Sequence, residues 1–166
     1  ESLCMHPKRH PMTMEMSLGC DKNGKLTFVE SDIIGDTGAY ASVGMKVLER
    51  AAGHATSVYS IPIVNIRSRA VYTNNVPCGA MRGFGVNQIN FAIESSIDEL
   101  CLQGGFDRWQ FRYDNALQPG DHTSTGQKIN SGIGIQKTLL AVKEQFNNAK
   151  YAGIACGMKN TGIGNG

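Results

Sequence analysis

Gly79-Ala80-Met81-Arg82-Gly83-Phe84-Gly85 stands between two runs of different periodicity. Upstream, Ile63 to Val71 reads as a strand with Val64, Ile66 and Ser68 on one face. Downstream, Ile89, Ile93, Ile97 and Leu100 recur at helical spacing with Ala92 and Cys101 beside them, and Gly104-Gly105 ends the run. A strand, a glycine loop and a helix starting near Val86 make an arrangement suited to an anion. Glycines let the backbone bare its N–H groups, and the helix start adds unpaired donors and a partial positive charge. Arg82 supplies a planar fork of donors that matches phosphate, oxo or carboxylate groups. Phe84, between two glycines, is not explained by turn propensity, and a flat ring offered there suits stacking on a planar ligand. Spacing alone leaves a second reading open, a tight turn carrying a core phenylalanine. Gly83-Phe84-Gly85-Val86-Asn87-Gln88 also lacks the third glycine of a Rossmann dinucleotide loop.

Working outward, Met12 to Leu18 alternates apolar and polar residues, the signature of a half-buried strand. Asp21-Lys22-Asn23-Gly24-Lys25 has hairpin-turn chemistry, and Leu26 to Ile34 returns as the partner strand. The methionines of the first strand read as core packing and not as a metal surface. Gly35-Asp36-Thr37-Gly38 is a turn, and Val47 to Ala55 a short helix. Past the long helix, Asp107 with Gln110 resembles a capping box for a helix through Trp109 and Phe111. Ile135, Leu139, Val142 and Phe146 give a further helical stripe, and the tail from Gly153 to Gly166 is glycine-rich and extended. The class is α+β: an antiparallel hairpin and further strands packed with three to four helices. Residues 1–166 are expected to form a single piece of a larger domain, since the chain starts at Glu1 without a methionine and stops at Gly-Asn-Gly with no terminating element.

The charge balance, 16 Lys and Arg against 14 Asp and Glu, is scattered along the chain. No basic run marks a nucleic-acid face, and no apolar stretch has transmembrane length. The 5 cysteines include no CxxC pair, which argues against a disulfide scaffold, a zinc site or an iron–sulfur cluster held by this chain and favours a reducing, cytoplasmic compartment. His6 and His10 are four apart, but Pro7 interrupts any helix that would place them on one face. His54 lies one helical turn after Arg50 and reads as a hydrogen-bonded structural histidine. Cys78 reads as a small buried residue beside the loop, with a reactive thiol as the alternative. For Arg50 the residues alone favour a helix arginine bridging to Glu49 or to a neighbouring segment.

The glycine loop, with Gln88 downstream, resembles the molybdenum-site loop of the molybdenum hydroxylases, the xanthine dehydrogenase and aldehyde oxidase family. Four more stretches resemble that family in the same order. Arg9-His10-Pro11 is similar to its segment before the first strand, and Gly35-Asp36-Thr37-Gly38-Ala39-Tyr40 to its glycine turn. Leu48-Glu49-Arg50-Ala51, with His54, resembles the helix that delivers a substrate-binding arginine in xanthine dehydrogenases. Arg108-Trp109 to Asn115, then Gly120-Asp121, resembles the helix and turn that follow.

The resemblance implies a molybdopterin-binding domain and a molybdopterin-type molybdenum cofactor. In it, Ala80, Met81, Arg82 and Gly83 would line the cofactor, with Arg82 near the molybdenum but not a ligand to it. Phe84 would be one of two phenylalanines against the substrate ring. Arg50 would orient a purine and stabilise charge developing on it during attack, in both a binding and a catalytic role. The whole enzyme would hydroxylate a purine such as xanthine, or a related N-heterocycle, with water as oxygen source. Iron–sulfur clusters and FAD are expected on other domains or subunits. The base glutamate and most pterin contacts are expected outside this chain, so the isolated piece should be inactive. Met81 departs from the aromatic residue of the mammalian xanthine enzymes, and Cys78 precedes the loop where carbon monoxide dehydrogenases carry a cysteine within it. The alternatives are an aldehyde-oxidising relative, a non-catalytic phosphate- or nucleotide-binding module, and an assembly piece.

Overall fold

The computed structural model describes residues 1–159. Its elements run α1 (Ser2–Met5), β1 (Met12–Cys20), β2 (Leu26–Asp36), α2 (Gly44–Gly53), β3 (Ile63–Val71), α3 (Val86–Gly104), α4 (Arg108–Asn115) and α5 (Ile135–Asn148). The three strands form one sheet in the order β1-β2-β3. The expected hairpin is present: Met12 pairs with Gly35 and Leu18 with Val29, antiparallel. Its turn is held by the Asp21 carboxylate, which accepts from the N–H groups of Asn23 and Lys25 at 2.8 and 2.9 Å. β3 pairs with β2 in parallel, Phe28 against Ile63 and Asp36 against Val71. The sheet is therefore mixed, and α2 is the crossover helix that parallel neighbours require.

This topology sends the segments after β2 and β3 out at the same end of the sheet. In open α/β sheets the carboxyl ends of parallel strands are where ligands gather. Here the two exits are tied together: the Thr37 N–H donates to Val71 O at 2.9 Å, and the Cys78 N–H to Thr37 O at 3.0 Å.

Burial follows the expected alternation. In β1, Met12, Met14 and Met16 pack inward on a cluster of Ile33, Val47, Leu48, Ala51, Ala55 and Ile89. These methionines fill core space. In α3, Ile89, Ile93 and Ile97 are wholly buried, and a second cluster joins Ile93, Ile97 and Cys101 to Leu26, Val29, Tyr59 and Phe111. Burying such side chains stabilises by about 1.5–3 kcal/mol each, enough to hold both helices on the sheet.

Several local expectations shift. α1 has no counterpart among the expected elements, and α2 lies three residues earlier than Val47 at its start and stops at Gly53. The capping box before α4 is half formed: Asp107 accepts from the Gln110 N–H at 2.7 Å, but the Gln110 side chain turns to Asp114 at 2.8 Å. In α5, Leu139 is buried while Val142 is 46% exposed, so the helical stripe there is realised only in part. Ile135 and Phe146 pack with Leu139 against Trp109, whose indole N–H donates to Leu139 O at 2.9 Å. The tail is described as far as Lys159, and its last residues lie outside the described part of the chain.

Candidate functional site

The loop between β3 and α3 has an unusual backbone. Gly83, Phe84 and Gly85 take φ of 92°, 51° and 97°, three left-handed residues in succession. For Phe84 this conformation opposes its own Cβ, and such strain persists only where surrounding contacts enforce it. The enforcing contact is the seat of Gly85 on α2. A Cβ there would stand 2.2 Å from Val47 O and 3.2 Å from the Ala51 nitrogen. The start of α3 thus lies on the backbone of α2, within one turn of Arg50.

Ala80, Met81 and Arg82 are exposed, and Gly83 and Phe84 are half-buried. The Phe84 ring leans on the cluster that contains Val47, Leu48 and Ala51, so it borders the core without being enclosed by it. Within the loop the Phe84 N–H donates to Met81 O at 2.8 Å and the Val86 N–H to Gly83 O at 3.1 Å. Among the described residues, no partner accepts from the N–H groups of Ala80, Met81, Arg82 or Gly83, nor from the Arg82 guanidinium. Four consecutive free amides and a guanidinium are a donor set matched to oxo and phosphate oxygens.

Arg50 is half-buried in the last turn of α2. It does not bridge to Glu49, which pairs with Lys46 at 3.0 Å, and its guanidinium has no hydrogen-bond partner among the described residues. His54 is buried, with Nδ1 at 2.9 Å from Arg50 O, as a structural histidine. Burial first, and then the nearby Lys159 and Arg50 charges, hold its imidazole below the usual range, although the Arg50 carbonyl works the other way.

The floor beneath the loop is built by the segment before β1. Lys8 bridges Cys78, and the Gly79 N–H donates to Lys8 O at 2.9 Å. His10 is 2% exposed and its carbonyl accepts from Gln88 Nε2 at 3.1 Å. His6 is exposed, and its ring turns instead to Pro7 O at 3.0 Å, so the two histidines point to different places. Three polar atoms of this floor, Arg9 Nη1, His10 Nε2 and Gln88 Oε1, are buried with no hydrogen-bond partner among the described residues. Buried polar groups are normally paired, so orphaned atoms behind a row of free amides fit a site completed by a polar group from outside this chain. Cys78 is buried, and burial followed by the Asp36 charge pushes its thiol up, as expected of an unreactive cysteine.

Two polar constellations lie beyond what the sequence patterns announce. Asp36, at the end of β2, accepts from Thr73 Oγ1 and Asn75 Nδ2, each at 2.6 Å, and from the Gly38 N–H at 2.7 Å. These bonds, Thr73 first, hold its carboxyl below the usual carboxylate range and tie the two strand exits together. The second is buried. Arg112 Nε donates to Glu94 at 2.8 Å and its Nη2 to Asp98 at 2.9 Å, while the Tyr59 hydroxyl donates to the other Glu94 oxygen. Burial works against the Arg112 charge, but Glu94 overcomes it and keeps the guanidinium protonated. Glu94 lies three residues before Ile97 and seven before Cys101, inside the buried arc of α3. A carboxylate in such an arc requires a cationic partner, and that was the available signal.

A family model described as the molybdopterin cofactor-binding domain matches residues 1–116. The large molybdopterin subunit of nicotinate dehydrogenase from Eubacterium barkeri is 41% identical over 87% of this chain and 34% of its own length. A probable xanthine dehydrogenase subunit from Bacillus subtilis is 35% identical over 100% of this chain and 24% of its own. Among solved structures, the aldehyde oxidoreductase from Desulfovibrio gigas superposes with a TM-score of 0.82 at 33% identity, over 85% of this chain and 15% of that one. Fold and loop therefore define an α+β cofactor-binding unit. The chain belongs to the molybdopterin cofactor-binding domain family, within the molybdenum hydroxylases. It spans about a third or less of the length of these relatives.

Proposed function

We propose that this chain supplies one wall of the molybdenum site in a larger oxidoreductase that hydroxylates N-heterocycles, purines such as xanthine among them, with water as the source of oxygen. The observation that carries the reading is the seat of Gly85 on α2, which sets the Ala80–Phe84 loop beside Arg50. Ala80, Met81, Arg82 and Gly83 would hold the oxygens of the cofactor through free amides and one guanidinium. When bound, the molybdenum cofactor supplies the oxidising centre and the activated oxygen. Phe84 would place its exposed face against a flat substrate ring, and its strained backbone fixes that face. Arg50, with no acidic partner among the described residues, would bind and steady negative charge developing on the heterocycle, which favours the transition state over the neutral ground state.

The remaining parts belong to the same proposal. The rest of the molybdenum subunit would supply the base and most pterin contacts, and iron–sulfur and flavin domains or subunits would carry the electrons away. The isolated chain would be inactive. Among the described residues no helix is long and apolar enough to cross a membrane, and all five cysteines are free thiols. A reducing, cytoplasmic setting accords with the thiols.

Two measurements test this. Elemental analysis of the intact protein from its host should find molybdenum, and its absence would defeat the reading in favour of a nucleotide- or phosphate-binding module. Arg50→Met in the intact enzyme should lower turnover of N-heterocycles by about 10²-fold or more, on the order of losing one preorganised donor to the transition state. The likeness to the aldehyde oxidoreductase supports a second reading, an aldehyde-oxidising enzyme. Turnover of aldehydes undiminished by Arg50→Met, with no heterocycle activity in the unaltered enzyme, would decide for it.

A further inference from the structure

The loop is joined to α2 at both of its ends. At the far end Gly85 sits on the backbone of Val47, and at the near end the join is the turn Asp36-Thr37-Gly38 that leaves β2. Thr37 is buried and faces two ways. Its Cγ2 fills the place that a Cβ on Gly44 would take, at the start of the helix that carries Arg50. Its carbonyl accepts from the Cys78 N–H at 3.0 Å, one residue before the loop. Gly38 closes on the same approach, since a Cβ there would overlap Val76 O. The Asp36 carboxylate gathers these parts. Its Oδ1 accepts from Thr73 Oγ1 and from the Gly38 N–H at 2.6 and 2.7 Å, and its Oδ2 from Asn75 Nδ2 at 2.6 Å. The Asn75 N–H donates in turn to Thr73 Oγ1 at 3.2 Å. The Thr73 and Ala39 N–H groups cross between the exits to Gly38 O and Asn75 O, at 3.0 and 3.1 Å.

From this geometry we infer that Asp36 is a positioning residue. Its carboxylate holds the approach segment 72–78 against the turn that packs on α2, and so sets the near end of the loop relative to the helix that bears Arg50. The inference rests on the functional reading above for its consequence in turnover, while the tie itself is read from the hydrogen bonds. An ionised carboxylate suits the role, because it brings only acceptors and all three groups that reach it are donors. Bonds to an ionised acceptor are also stronger than those between neutral groups, as a half-buried joint between two loops requires. Those donors hold the carboxyl below the usual carboxylate range, so the acceptor stays ionised at neutral pH. With both ends held, the amides of Ala80 to Gly83 start from a fixed place, the condition that preorganised donors must meet.

The test uses the intact protein, with amide hydrogen exchange read in peptides covering 37–41 and 72–79 and, as controls, 12–20 and 135–148. Asn75→Asp sets a second carboxylate against Asp36. It should accelerate exchange in both exit peptides by about tenfold, the effect of losing one net hydrogen bond, and leave the controls unchanged. Adding Asp36→Asn returns a donor to that pair and should restore the native rate. Thr73→Val removes the other side-chain donor and should accelerate the same peptides, whereas Thr73→Ser should not. Should Asn75→Asp not fold, the threonine pair decides by the same measure. In the molybdenum-containing enzyme, Asn75→Asp should lower kcat/KM for an N-heterocycle by about tenfold at unchanged molybdenum per chain, and the double variant should recover it. Native exchange in Asn75→Asp, equal acceleration in the controls, or no recovery in the double variant would each overturn the tie. Turnover unmoved while the exits loosen would overturn the positioning role. Absence of molybdenum from the unaltered protein defeats the proposed function instead, and the exchange pattern then decides the role of Asp36 alone.

Discussion

The carbonyl oxygen of Val47 stands 2.2 Å from the point where a side chain on Gly85 would begin. That contact sets the start of α3 on the backbone of α2, the helix that carries Arg50. Gly85→Ala must open the seat and also adopt a φ of 97°. Overpacking against backbone and a left-handed β-carbon together should cost about 2–4 kcal/mol. Urea unfolding should show a lower midpoint with an unchanged slope, and an unchanged midpoint would refute the seat.

Phe84 offers a separate measure of loop strain. Glycine accepts its φ of 51° freely and alanine does not. Phe84→Gly should therefore be more stable than Phe84→Ala by about 1 kcal/mol, although both lose the ring's packing. The reverse order in thermal melting would mean that the left-handed turn is not held in solution.

The Glu94–Arg112 pair calls for a double-mutant cycle. Arg112→Leu strands a buried carboxylate and should cost about 3–5 kcal/mol. Adding Glu94→Leu removes the stranded charge, so the double variant should be less destabilised than the sum of the single ones. Simple additivity would show that the two groups act independently.

Acid sensitivity follows from the two buried histidines. His10 and His54 are both lowered from 6.5, chiefly by burial, so the unfolded chain takes up protons first as pH falls. Stability should be fully present above about pH 6.5 and decline below it, until the folded pKa values are passed. The facing charges are Asp36 for His10, and Arg50 and Lys159 for His54. Asp36, itself lowered from 3.8 by its hydrogen bonds, adds a further loss only below that value. Melting temperature followed from pH 8 to pH 5 should fall. A flat profile would contradict burial of both rings.

Thiol labelling separates the cysteines. Burial pushes Cys101 and Cys156 up to about 11 and raises Cys78, whereas Cys4 is exposed. Alkylation of the folded protein at pH 8 should reach Cys4 first. Comparable rates at Cys4 and Cys78 would show that the wall beneath the loop is open.

Much of the fold was legible because its signals are local. The alternation of Met12, Met14 and Met16, the Asn23-Gly24 turn and the spacing of Ile89, Ile93 and Ile97 depend on neighbours a few residues away. The glycine loop was legible for the same reason, as a place where only glycine fits. Less legible were the ends of α2 and the outer half of α5. There the last turn depends on what packs across it, as Ser124 Oγ does in capping Gly53 O at 2.6 Å.

Sequence alone pointed to a strand–loop–helix unit suited to an anion, and to a resemblance to the molybdenum hydroxylases in which Arg50, Arg82 and Phe84 would take site roles. Tertiary structure decided how the loop and α2 are joined. The parallel pairing of β2 with β3 sends both strand exits to one end, because a crossover helix returns the chain to where it started. The seat of Gly85 on Val47, the Asp36 tie between the exits and the Glu94–Arg112 pair all join residues far apart in the chain. Such contacts depend on distances in space, which no local periodicity encodes.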